Sequence, residues 1–275
     1  MPEMTRPEGL PDFRQPPLNE VVLGVQFSPS EGYQQIYAGD VWKLFKANYP
    51  VVAEHPPLPP MYETFGPPGG QNFEFNIGPG GQHNRYWFLS ADHDELIQFQ
   101  NDRLLHNWRQ LPNSKQKYPR FESLIAKFQR EFIQLSDFLK TLQPTERQRQ
   151  LVCNQVEVTY INHILLPKES RTDPSAVLRV TNFGPSIPDD AALIWRRALL
   201  RSDGKPYARL ICDANSALNY KGENIVVLTI TVRGNPSVGT IGNVVDFMKN
   251  ARETIVKEFA NITTDSAHAV WERIL

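Results

Sequence analysis

Hydrophobic and polar positions recur along this chain at two periods, and the switches between them mark out the elements. Residues 19–27, NEVVLGVQF, are β-branched and apolar and end before Pro29, which predicts a strand. Tyr33, Ile36, Tyr37, Val41, Leu44 and Phe45 then recur at spacings of three and four, which predicts a helix ended by Pro50. The next stretch, VVAEHPPLPPMYETFGPPGGQ, is rich in proline and glycine and reads as a surface loop. Phe73, Phe75 and Ile77 alternate with polar residues, as in a short strand. RYWFLSA, LIQFQ and RLLHNWRQ follow, parted only by DHDE and ND, and predict a three-strand meander. Phe121, Leu124, Ile125, Phe128, Phe132, Leu135, Phe138 and Leu139 give the strongest helical stripe in the chain.

Residues 141–150, TLQPTERQRQ, are polar and interrupted by proline, and mark a boundary. Beyond it, residues 152–164 alternate as a strand, LRVTNF reads as a short strand, and ALIWRRALL, YARLICDAN and IVVLTITVRG read as three more. Val244, Phe247, Met248, Ala251, Ile255 and Phe259 predict a helix, and Thr264 or Asp265 offers an N-cap to a short terminal one. The fold class is therefore α+β: antiparallel sheet with amphipathic helices packed on one face, and two halves of similar outline. The expected organisation is a flexible N-terminal arm at 1–17, a first half at 18–142 and a second at 150–275, the alternative being one continuous domain. The first strand, apolar on both faces, is expected at a sheet edge or under the second half.

Composition narrows the functions. With 275 residues and 40% hydrophobic content the chain can build a sizeable core. A formal net charge of -1 argues against broad nucleic-acid or membrane binding. Cys153 and Cys212, the only cysteines, cannot form a disulfide framework or a four-cysteine zinc site, and both lie in strand-like runs, as buried thiols do. No stretch approaches the roughly 20 apolar residues of a membrane span, and the N-terminus has no secretory apolar region, so a cytoplasmic protein is the default expectation.

The candidate chemistry is sparse. Asp92, His93, Asp94 and Glu95 are consecutive, and Asp92 with Asp94 could share a Mg²⁺; adjacent residues at a hairpin tip point apart, so a solvated turn is the first reading. His106 falls on one strand face with Leu104 and Trp108 and reads as a wall residue. Asn162 and His163 interrupt an apolar strand; with His106 they are the catalytic candidates, His163 foremost. Arg196 and Arg197 beside Trp195, with Arg201, are the nucleic-acid candidates, although alternation turns the first two to opposite sides. The glycine-rich runs at 66–70 and 78–81 lack the lysine and hydroxyl of a phosphate loop, and no standard nucleophile or zinc-hydrolase motif occurs. No cofactor is implied.

PPLNEVVLGVQF, RYWFLSADHDELIQFQNDRLLHNWR, YPRFESL, VEVTYINHI and AHAVWERI together resemble a sporadically distributed family of uncharacterised bacterial proteins of about this length. The resemblance spans nearly the whole chain and implies a bacterial cytoplasmic protein of an accessory or mobile-element kind. It implies no catalytic residue. The expected function is a non-catalytic protein–protein interaction or regulatory protein of a defence or toxin–antitoxin-like system. Its partner would be another protein, one encoded nearby, or a second copy in a homodimer. The aromatics at element ends, Tyr33, Tyr49, Tyr62 and Trp271, would mark the interface. The alternatives are a metal-dependent hydrolase or nuclease built on Asp92, Asp94 and His163, and a nucleic-acid binder.

Overall fold

The computed structural model describes residues 6–65, 84–112, 114, 117–142, 151–236 and 239–275. Strands β1 (Leu18–Phe27), β2 (Val51–His55), β3 (Arg85–Leu89), β4 (Glu95–Gln100), β5 (Arg103–Arg109), β6 (Cys153–Leu165), β7 (Ala192–Leu200), β8 (Pro206–Leu218) and β9 (Asn224–Gly234) form one antiparallel sheet. Its order is β2-β3-β4-β5-β1-β6-β9-β8-β7. Helices α1 (Ala38–Phe45), α2 (Phe121–Thr141), α3 (Ile241–Ile262) and α4 (Asp265–Val270) complete the α+β fold. The stretches 18–142 and 150–275 thus contribute to a single sheet, joined where β1 pairs with β6 from Leu18↔Asn162 to Phe27↔Cys153.

Two neighbouring rows of residues, one on each face, define what the sheet does. Phe88, Ile97, His106, Leu23, Val158, Val232 and Leu210 lie side by side across seven strands, and each is at most 2% exposed. One residue along, on the opposite face, the same strands present Trp87, Gln98, Leu105, Gly24, Glu157, Arg233 and Arg209. The first face is therefore the core and the second is polar, as the two-residue period of a strand requires. Phe128 and Phe132 of α2 stack at 6.0 Å, and Phe132 lies 6.4 Å from Phe27 of β1. The buried stripe of α3, Val244, Met248, Ala251 and Ile255, joins the same core.

Several expectations are corrected. β1 is not an edge strand; its apolar character on both faces reflects a place at the centre of the sheet, between β5 and β6. Val51–His55, read as loop because prolines follow, is strand β2, and it lies at an edge where those prolines cost no ladder bond. LRVTNF is not a strand: Leu178 makes one isolated bridge to Thr263, Arg179 and Val180 turn, and 181–183 have no regular structure. The first helix begins as a 3-10 turn at Gln35–Tyr37, which leaves Ile36 81% exposed rather than on the apolar face. The N-terminal arm is described from residue 6, and there it is held down. Arg14 N donates to Glu272 O at 3.2 Å, Ile274 N donates to Asp12 O at 2.8 Å, and Phe13 meets Phe259 edge-on at 5.6 Å. Thr264 caps α4 as expected, accepting from Ala267 N at 3.3 Å. Phe73, Phe75 and Ile77 lie outside the described residues.

Candidate functional site

Three places concentrate polar chemistry: the polar face of the sheet, a buried triad beneath α2, and the outer edge of β7.

A dense network of side-chain hydrogen bonds covers the polar face. Gln98 Oε1 accepts from Arg85 Nη1 at 2.7 Å and Trp87 Nε1 at 3.1 Å, and Gln98 Nε2 donates to Asn107 Oδ1 at 3.0 Å. Asn107 Nδ2 donates to Glu20 at 2.6 Å. Burial raises the Glu20 carboxyl above its ordinary range, against the pull of that amide. Arg233 Nε donates to Glu157 at 2.9 Å, and Arg209 Nε to Glu63 at 2.8 Å. Gln26 and Gln100 accept from the backbone N–H of Met61 and Leu58, at 2.9 and 2.8 Å. The segment 58–65 is thereby stitched across the sheet by side chains instead of by a strand ladder. Beneath it, over Gly24, lies a cavity of about 120 Å³ that Arg103, Gln155 and Arg233 also line. A Cβ at residue 24 would collide with Leu105 and come within 2.8 Å of Glu157 Cγ, so glycine lets those two side chains close over the strand. Gln155 Oε1 is buried without a hydrogen-bond partner.

On the core face, His106 is fully buried and its Nδ1 lies 2.8 Å from Glu131 Oε2 of α2. Tyr49 Oη donates to Glu131 Oε1 at 2.6 Å. Burial alone would raise the Glu131 carboxyl, but the adjoining His106 and hydrogen bonds from His106 and Tyr49 outweigh it and hold it below its ordinary value. The same burial and the facing carboxylate push the Tyr49 hydroxyl far up, so it stays protonated and donating. This triad ties α2 to β5 and to the end of the α1 segment. His106 Nε2, which has no partner, is enclosed by core side chains, so no substrate can reach it.

The candidates read from the sequence scatter. Asp92 and His93 are exposed in the β3–β4 turn, His93 with a φ of 61°, but Asp94 is 3% exposed and accepts from Ser90 Oγ at 3.0 Å. The solvated turn is thus half right: Asp94 turns inward and helps close the hairpin. The register sets Asp94 beside Arg109, Glu20 and Ile161, so it stands three strand spacings, roughly 14 Å, from β6. His163 lies further along β6 and is exposed, whereas Asn162 faces the other way, is 4% exposed and donates to Leu228 O at 3.1 Å. Asp92, Asp94 and His163 therefore do not converge, and among the described residues no group of three metal-binding side chains does. Partial burial lowers the His163 imidazole, which keeps it neutral. Cys153 and Cys212 are buried and unpaired; burial raises their thiols to about 11 and about 12. Tyr33, Tyr49 and Trp271 are core residues at 8%, 3% and 6% exposure, which leaves Tyr62 alone of the expected interface aromatics on the surface.

Arg196, Arg197 and Arg201 lie on or just after β7, which forms one edge of the sheet as β2 forms the other. Arg197 faces α3 and donates to Glu258 at 2.8 Å. Arg196 points to the polar face and Arg201 follows the strand; both are exposed, and neither forms an ion pair among the described residues. Ser216 N donates to Ala191 O and Arg201 N to Lys205 O, which sets the odd-numbered residues in hydrogen-bonded register with β8. The N–H and C=O groups of Ala192, Ile194, Arg196 and Ala198 therefore point outward. Ile194 and Leu200 on this strand are 52% and 59% exposed. Sequence reasoning found these arginines but missed the edge, because ALIWRRALL carries no mark that tells an outer strand from an inner one.

No family model matches the chain, and none of the curated proteins searched matches it either. Among the described residues no helix is long and apolar enough to cross a membrane.

Proposed function

We propose that this chain is a non-catalytic protein–protein interaction or regulatory protein of a bacterial accessory system, and that it receives its partner along β7. The observation that carries this reading is the row of outward backbone groups on β7, flanked by exposed Ile194 and Leu200. Such an edge accepts an extended segment by strand addition, with backbone bonds supplying affinity and alternate side chains supplying specificity. The polar network on the sheet serves to hold 58–65 in place and does no chemistry. We also propose that the halves are related repeats with the helices in one layer. In support, each opens on a central strand, β1 or β6. Each returns its last meander strand beside it, β5 or β9, and closes on a long helix, α2 or α3.

The test is a native-host capture run side by side with wild type and Ala198→Pro. Proline at an outward-facing position removes a free N–H and no β7–β8 bond. A partner held by wild type and lost by the variant supports the reading. A partner held equally moves the contact off β7, and turnover of a substrate by the purified chain overturns the non-catalytic reading.

A further inference from the structure

We propose that the segment added at β7 is acidic: an extended stretch of another protein with a carboxylate side chain set among small or apolar ones. This rests on the edge reading above and adds the chemistry of the partner. Between Asp190 and Asp203 the chain carries three arginines and no carboxylate. Arg197 is neutralised by Glu258, which leaves Arg196 and Arg201 with no ion pair among the described residues; the carboxylate diagonal to Arg196 on the same face, Asp213, accepts from Asn215. The neighbours of Arg196 on its own face of the strand are Ile194 and Ala198, two residues to either side. Directly behind it on β8 is Ile211, and Arg209, opposite Ala198, is already paired with Glu63. A strand laid antiparallel or parallel at the usual spacing of roughly 4.8 Å places one side chain opposite Arg196 and apolar positions opposite Ile194 and Ala198. Opposite charges there stabilise the pair, and like charges oppose it.

The same arithmetic disfavours a second copy of this chain in the registers centred on the arginine pair. Two-fold pairing centred on Arg196 sets arginine directly against arginine, and centring on Arg197 repeats the clash one residue on. Nucleic acid fits less well, because the uncompensated cations are few and the outward carbonyls would find no donor in a phosphate chain.

Blocked, fluorescent nine-residue peptides provide the probe, one of threonines with a single central glutamate and one of threonines with a single central lysine. Titrated by anisotropy into the full chain, the glutamate peptide is expected to bind at least about tenfold more tightly than the lysine peptide, and to weaken as salt is raised. Arg196→Glu with Arg201→Glu should reverse the preference, and Ala198→Pro should abolish binding of either peptide while the far-ultraviolet spectrum stays that of wild type. If both peptides bind equally and Ala198→Pro removes both, the edge is real and the acidic partner is wrong. If neither binds and light scattering shows a dimer that Ala198→Pro dissolves, a second copy occupies the edge and the inference falls. Binding of both peptides untouched by Ala198→Pro would overturn the inference and the edge reading together.

Discussion

β1 and β7 are near equals as sequences, LNEVVLGVQF against ALIWRRALL, yet one is a largely buried central strand of the sheet and the other an open edge. Every residue of β1 from Val21 to Phe27 is buried, and both its edges are paired, to β5 and to β6. β7 is paired on one side only, and none of its residues is buried. Apolar content does not separate them. What does is topology: β1 is the junction of the two sets of strands, whereas β7 begins a meander that runs inward. A strand's load in the fold and its availability to a partner therefore run in opposite directions, and variants at the two places should differ accordingly.

The largest effects belong to the centre and to the helix above it. Leu23→Ala in β1 should cost about 2–5 kcal/mol and Phe128→Ala in α2 about 3–5 kcal/mol, since both side chains are fully buried. Urea midpoints measure this; unchanged midpoints would mean that packing at the centre contributes little to stability.

Next comes the buried triad. Glu131→Ala strands His106 and Tyr49 without their acceptor and should cost about 3–5 kcal/mol. Its pH dependence has a definite sign. Glu131 is held below its ordinary 4.5, so its contribution is fully present above that value and is lost as pH falls through the lower folded value. Stability against urea should therefore drop more steeply below about pH 4.5 in wild type than in Glu131→Gln. Parallel acid limbs in the two proteins would remove Glu131 from the account.

The smallest effects belong to the edge. Ile194→Thr and Arg196→Glu should each shift stability by no more than about 0.5 kcal/mol, because both side chains are exposed and Arg196 has no ion pair among the described residues. A shift of several kcal/mol in either would show that β7 is structural after all.

Periodicity made most of the elements legible. The stripe at 121–139 became α2, the alternation at 152–164 became β6, and Thr264 capped the final helix. Placement was less legible. β1 looked like an edge because a doubly apolar strand can be covered from either direction, and only the ladder to β6 decides which. Asp94 looked solvated because turn residues usually are, and its inward rotation depends on a hydroxyl at Ser90 that sequence spacing does not flag. His106 was read as a wall residue, but its partner Glu131 sits 25 residues away, a single carboxylate on the buried stripe of α2 between Phe128 and Leu135, and the period of that stripe says nothing of the pairing. The polar network over Gly24 joins residues from five separated stretches, and no local pattern announces it.

Amide hydrogen exchange, resolved residue by residue along β7, tests the central claim most directly. In the free protein the N–H groups of Trp195 and Arg197, bonded to β8, should be protected, while those of Ile194, Arg196 and Ala198 exchange at close to the rate of an open chain. Saturating threonine–glutamate peptide should then slow the second set and leave the first unchanged. Protection of Ile194, Arg196 and Ala198 in the free protein would show that the chain already covers this edge, and would contradict the account.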